Sequence, residues 1–154
     1  MDQLWIVCDT SGSMCEGNRH VAMRGLAIQV EQYVRLGYAS SLDVKLAVWS
    51  HEVAPVAWVP SADVPDAVLD CSGRANGRAL AEFLETHNRD RILILSDGFW
   101  SDDDRRTVVN ACDTTGANRV RLVHVGVDAN SRVGTIESFE AGDLLAALDG
   151  WCKP

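Results

Sequence analysis

The chain has 154 residues, 47% of them apolar and 23% charged, with a net charge of −8, which suits one globular domain with a real core. That acidity argues against a nucleic-acid partner, because phosphate binding wants clustered Lys and Arg, and no apolar run approaches the roughly 20 residues of a membrane span. The five cysteines include no CxxC pair, so neither a zinc knuckle nor a disulfide framework is expected. No basic-then-apolar leader opens the sequence, and the expectation is a cytoplasmic protein with reduced thiols, residues 1–154 forming a single domain.

Residues 4–8, LWIVC, are predicted as a strand apolar on both faces, as central strands of parallel sheets are. From 19 to 36 the period becomes helical: Ala22, Leu26, Val30, Tyr33 and Val34 share one face, Met23 and Ala27 lie beside it, and Gly37 is the stop. Asp43–Trp49 alternates as a second strand, and 53–59 reads as a third. Only Ser50, His51 and Glu52 separate these two, too little for a crossover helix, so they pair as an antiparallel hairpin. Pro55 cannot donate to a ladder and puts the third strand at a sheet edge.

A polar connection over 61–70, with one helical turn, leads to a short helix over 77–87 that buries Leu80, Phe83 and Leu84. Residues 91–96, RILILS, form an uninterrupted apolar strand that runs into Asp97-Gly98. Ser101 caps the next helix, with Asp102, Asp103 and Asp104 in its first turn, where the helix dipole favours anions. A strand over 119–127 and a helix over 143–151 complete the pattern. Strands alternating with helices imply an α/β fold: an open, doubly wound, mostly parallel sheet with helices on both faces and one antiparallel edge strand.

In such folds ligands bind beyond the carboxyl ends of the strands, where strand order reverses. Two apolar strands here end in acids, Asp9 and Asp97. Along extended chain Asp9, Ser11 and Ser13 present oxygens in one direction while Thr10 points elsewhere, and Gly12 lets the backbone curl. Oxygen donors without His or thiolate indicate a hard cation, Mg²⁺ or Mn²⁺.

The stretch DTSGSM after a strand, with ILILSDG further on, resembles a von Willebrand factor A domain and its metal-ion-dependent adhesion site. The resemblance covers nearly the whole chain. It implies a Rossmann-like fold, with Ser11 and Ser13 as hydroxyl ligands and Asp9 and Asp97 as carboxylate ligands, directly or through waters. It further implies a partner protein whose Asp or Glu completes the cation's shell. Cytoplasmic members of the family work beside AAA+ ATPases, chelatases, kinases or phosphatases, which makes an adaptor role the expectation. The family's usual Thr ligand falls here on Ala75, within CSGRANGRAL. A methyl cannot ligate, so a weakened site is expected, with Ser72, the Asn76 amide or a water as substitute and Arg74 as a nearby positive charge. Phe99 and Trp100, directly after Asp97-Gly98, are the expected partner contacts.

Two other readings compete. One is a scaffold whose site has decayed and is metal-free. The other is a metal-dependent hydrolase or phosphatase, but the position two after Asp9 is Ser11, where an aspartyl-phosphate enzyme needs a second Asp as general acid. Cys15 and Cys71 flank the site on different loops and are read as ordinary thiols rather than a redox pair or soft-metal trap. His20, His51, His87 and His124 have no ligand spacing.

Overall fold

Six strands form one sheet in the order β3-β2-β1-β4-β5-β6 in the structure, a computed structural model that describes residues 3–38, 41–126 and 134–152. The strands are β1 (Gln3–Asp9), β2 (Asp43–Trp49), β3 (Val53–Val56), β4 (Arg91–Ser96), β5 (Val120–His124) and β6 (Glu137–Glu140). The helices are α1 (Arg19–Tyr33), α2 (Gly77–Thr86), α3 (Asp102–Thr115) and α4 (Leu144–Leu148). The β2–β3 pair is antiparallel and the other neighbours are parallel. The predicted doubly wound sheet with one antiparallel edge strand is what forms, and Pro55 lies on β3 at that edge.

Because β1 is apolar from Leu4 to Cys8, it feeds two cores. Leu4, Ile6 and Cys8 pack with Met23, Leu26, Ala27 and Val30 of α1 and with Leu144 and Leu148 of α4. Trp5 and Val7 face the other way, into a cluster with Leu80, Phe83 and Leu84 of α2 and Val108 and Cys112 of α3. Burying a large apolar side chain stabilises by roughly 1.5–3 kcal/mol, so these two layers fix the sheet between its helices.

Some expectations shift. Ala22 is exposed, because the buried stripe of α1 runs through Met23, Leu26, Ala27, Val30 and Tyr33. Gly37, with φ of +96°, ends the helix after a wide turn over Val34–Tyr38, a conformation that glycine adopts without strain. β3 stops at Val56, and just beyond it the Trp58 indole donates to the Ala62 carbonyl at 3.1 Å. The strand predicted over 119–127 is Val120–His124, and residue 127 lies outside the described residues. The final helix is only Leu144–Leu148, and β6, sequence ESFE, precedes it unpredicted.

Helices α2 and α3 are in tight contact at Gly77. A Cβ there would collide with the Asp104 carbonyl oxygen and sit 2.7 Å from its Cα. Gly77→Ala is therefore expected to destabilise the fold by about 1–3 kcal/mol through overpacking, read as a lower denaturant midpoint at unchanged slope. A neutral substitution would mean that the two helices are not held this tightly.

Candidate metal site at the sheet switch point

The chain runs from β1 outward through β2 to β3, then returns to the other side of β1 as β4. Strand order thus reverses between β1 and β4, the place where doubly wound sheets open a crevice. Asp9 is the last residue of β1, and Asp97 directly follows β4. Since Cys8 pairs with Leu95, the two acids emerge side by side, and both are fully buried. The convergence expected from the sequence is present.

Three loops build the surroundings. In the first, residues 10–18, the Ser11 amide donates to Asp9 Oδ1 at 2.9 Å, and the Ser11 and Ser13 hydroxyls lie 3.4 Å apart. The Thr10 hydroxyl points away and donates to the Trp49 carbonyl at 3.2 Å. In the second, residues 57–76, the Ser72 amide donates to the Thr10 carbonyl and the Gly73 carbonyl accepts from the Gly12 amide, each at 2.8 Å. The second loop is thereby laid along the first.

The third loop, residues 97–101, depends on a residue that the sequence reading passed over. The Ser96 hydroxyl donates to Asp9 Oδ2 at 2.6 Å and accepts from the Gly98 amide at 3.0 Å and the Trp100 indole at 2.9 Å. A hydroxyl has one proton and two lone pairs, so Ser96 is saturated, and it ties the end of β1 to the loop after β4. Asp97 Oδ1 accepts from the Phe99 amide at 3.1 Å. Its Oδ2 is buried and receives no hydrogen bond.

Arg19 was missed as well. It is buried at the first position of α1, its Nη1 donates to the Ser13 carbonyl at 2.9 Å, and the same nitrogen lies 3.5 Å from Asp97 Oδ2. Its guanidinium also stacks over the Phe99 ring, 5.1 Å from the centroid. A cation at a helix N-terminus opposes the helix dipole, and that misfit was the available signal that Arg19 serves something other than its helix.

Three expected residues take other roles. Asn76 caps α2, its Oδ1 accepting from the Arg78 and Ala79 amides, so its side-chain oxygen is already engaged. Arg74 is exposed and lies 3.6 Å from Asp104, so the cation beside Asp97 is Arg19 and not Arg74. Trp100 is buried, edge-on to Trp49 at 5.1 Å, because its indole nitrogen reaches Ser96; it belongs to the core and not to a contact surface. Ala75 is buried in that same apolar cluster and offers no oxygen, as expected. Phe99, 47% exposed, stands on the rim, and Ser72 remains an exposed hydroxyl beside the first loop. Ser101 caps α3 as predicted, while Asp104 is buried and holds the Gly77 amide at 2.9 Å.

Burial pushes the Asp9 carboxyl above its ordinary range, and the neighbouring Asp97 charge adds to this, against the hydrogen bonds from Ser11 and Ser96. The folded protein therefore holds this proton more tightly than the unfolded chain does. Stability from this group is full below the unfolded value and falls as pH rises through the elevated one. In chelator, Asp9→Asn is expected to flatten that decline in a series of denaturant midpoints against pH. Parallel curves for the two proteins would contradict it.

Two buried carboxylates, one with an oxygen that receives no hydrogen bond, and two adjacent hydroxyls make a donor set that suits a hard divalent cation. Ser11, Ser13, Asp97 and Asp9 fit; Ala75 contributes nothing, and the Arg19 guanidinium already supplies part of the charge that a cation would bring.

No family model matches the sequence, and comparison with curated proteins finds no match. Solved structures do match. Manganese-loaded TRAP protein of Plasmodium vivax aligns with a TM-score of 0.65 at 8% identity, over 99% of this chain and 74% of that one. Proximal thread matrix protein 1 of the mussel byssus, with a zinc-occupied MIDAS motif, aligns with a TM-score of 0.60 at 10% identity, over 96% of this chain and 46% of that one. A von Willebrand factor type A structure from Catenulispora acidiphila aligns with a TM-score of 0.51 at 14% identity, over 95% of this chain and 40% of its own. The chain thus spans less than half of the last two. No helix among the described residues is long and apolar enough to cross a membrane.

Proposed function

The chain has the von Willebrand factor A fold, and from that premise we propose that it is a non-catalytic protein-docking module. Asp9, Ser11, Ser13 and Asp97 hold a divalent cation, Mg²⁺ or Mn²⁺, and a partner's Asp or Glu completes its coordination. The observation that carries this reading is Asp97 Oδ2, a fully buried carboxylate oxygen with no hydrogen-bond donor at the switch point of the sheet. Such an oxygen is costly to bury unless a positive charge compensates it. When bound, the cation supplies a positive centre that attracts one more anion. This chain's residues supply the rest: the Ser96 bridge fixes the Asp9 carboxylate, and the stacked Phe99 gives an apolar shoulder for a protein contact.

Support from known structures comes from the manganese named for the Plasmodium protein and the zinc named for the mussel protein. The adaptor role in a cytoplasmic complex, beside an AAA+ ATPase, kinase or phosphatase, belongs to the same proposal. A partner retained from native lysate in Mg²⁺ is expected to be released by chelator and not to bind Ser11→Ala. Equal retention in all three conditions would sink the docking role.

One observation favours a second reading, the decayed, metal-free scaffold. Arg19, 3.5 Å from Asp97, is a resident cation that compensates the acid on its own. The two readings differ in how the fold responds to metal and to loss of that guanidinium.

A further inference from the structure

We propose that Cys15, His20 and Cys71 form a second metal site, for a thiophilic cation of the Zn²⁺ class, on the outer side of the loops that frame the switch point. The three residues come from three places. Cys15 lies on the first loop, His20 on the opening turn of α1, and Cys71 on the second loop. Their ligand atoms nevertheless all fall within 4.8 Å of one another. Metal–ligand bonds of about 2.0–2.3 Å set in a tetrahedron put neighbouring ligand atoms about 3.3–3.8 Å apart, so a closure of about 1 Å, within reach of rotamer adjustment, completes the cluster.

The histidine is already oriented. His20 Nδ1 lies 3.2 Å from the Met14 carbonyl oxygen. Donation of the Nδ1 proton to that carbonyl leaves the lone pair on Nε2, the arrangement in which metal-bound histidines hold their other nitrogen. The two sulfurs and the imidazole are soft or borderline donors, distinct in kind from the all-oxygen set of Asp9, Ser11, Ser13 and Asp97, so the two sites select different metals. Burial, then the neighbouring Cys15 sulfur and the charges of Asp9 and Asp70, push the Cys71 thiol up, so a cation must displace that proton as it takes the sulfur. Cys15 is exposed and Cys71 half-buried, leaving the metal an entry path and a fourth position for water or another ligand.

A disulfide between the same sulfurs is the competing chemistry. It requires an S–S distance of about 2.05 Å and an oxidant, and it gives His20 no part. A metal uses all three residues, and it clamps the second loop to the first at a point beside Ser13.

The test is titration of the reduced, metal-free chain with Co²⁺ as a spectroscopic stand-in for Zn²⁺. Expected are thiolate-to-cobalt charge transfer in the near ultraviolet and strong tetrahedral bands in the visible, saturating at one equivalent and bleached by Zn²⁺. Cys15→Ser and Cys71→Ser should each abolish the charge transfer, and His20→Ala should weaken binding at least about tenfold. Ser11→Ala and Asp97→Asn should retain it, so failure of the oxygen site leaves this result standing. Because Cys15 is exposed, its serine variant tests the site without disturbing the core. Absence of charge transfer in the folded protein, its survival in Cys71→Ser, or a Cys15–Cys71 disulfide in chain prepared under the same reducing conditions would each overturn the assignment.

Discussion

With Mg²⁺ held at about 100-fold its dissociation constant, the thermal unfolding midpoint is expected to rise by about 8 °C over the same protein in chelator. A ligand that binds only the folded state at that excess stabilises by about 2.7 kcal/mol. The entropy of unfolding for a chain of this size is about 0.3 kcal/mol/K, and the ratio gives the shift. Asp97→Asn should erase it. Asparagine keeps an oxygen for the Phe99 amide but removes the charge on the buried carboxylate oxygen that lacks a hydrogen bond. Mg²⁺ is the right probe because the thiolate-imidazole cluster has little affinity for so hard a cation. A wild-type midpoint that stays put at millimolar Mg²⁺ would assign the switch point to Arg19 alone.

The second large effect is expected from Arg19→Met, which keeps the length of the stem and deletes the guanidinium. Arg19 and Asp97 have side chains only 7% and 0% exposed. Stripping one partner from a buried pair leaves an uncompensated charge, at a cost of about 3–5 kcal/mol. In chelator the variant should lose that much stability in denaturant titration, and Mg²⁺ should restore most of it. Since the guanidinium no longer competes for Asp97, cation affinity should rise by at least about tenfold, equivalent to about 1.4 kcal/mol. The two readings of the site part here. A variant that is weakened but indifferent to Mg²⁺ has lost a structural counter-ion, whereas one rescued by Mg²⁺ has had its metal position cleared.

Much of this was legible in the sequence because it rests on local rules. Pro55 located the sheet edge, Ser101 and Gly37 marked helix ends, and two apolar runs that finish in Asp9 and Asp97 pointed to the crevice. What escaped has a common physical origin. The hydroxyl of Ser96 and the guanidinium of Arg19 acquire their meaning from partners that only the fold brings near, Asp9 at a separation of 87 residues in the first case. Asn76 is the exception: it stands immediately before the predicted helix over 77–87, the place of a capping Asn, and the backbone of α2 claims its oxygen. Trp100 followed an exposed-looking turn, yet its ring turns inward onto Trp49. β6 has no apolar alternation to detect: in ESFE a single aromatic sits among polar residues, and Glu137 is positioned across the sheet by Arg121 at 3.3 Å. Cys15 and Cys71 can be paired from the sequence as flanking thiols, but the approach of His20 to them is a property of loop packing that residue spacing does not encode.

The two borders of the sheet limit how this protein can meet another. On one side stands a four-residue strand interrupted by Pro55, and on the other a four-residue strand with a glutamate at each end. Short, charged or proline-bearing margins are poor templates for an incoming backbone. Association by adding a foreign strand is therefore disfavoured at both ends, and recognition falls to side chains displayed on the loops, where single substitutions rather than register decide who is accepted.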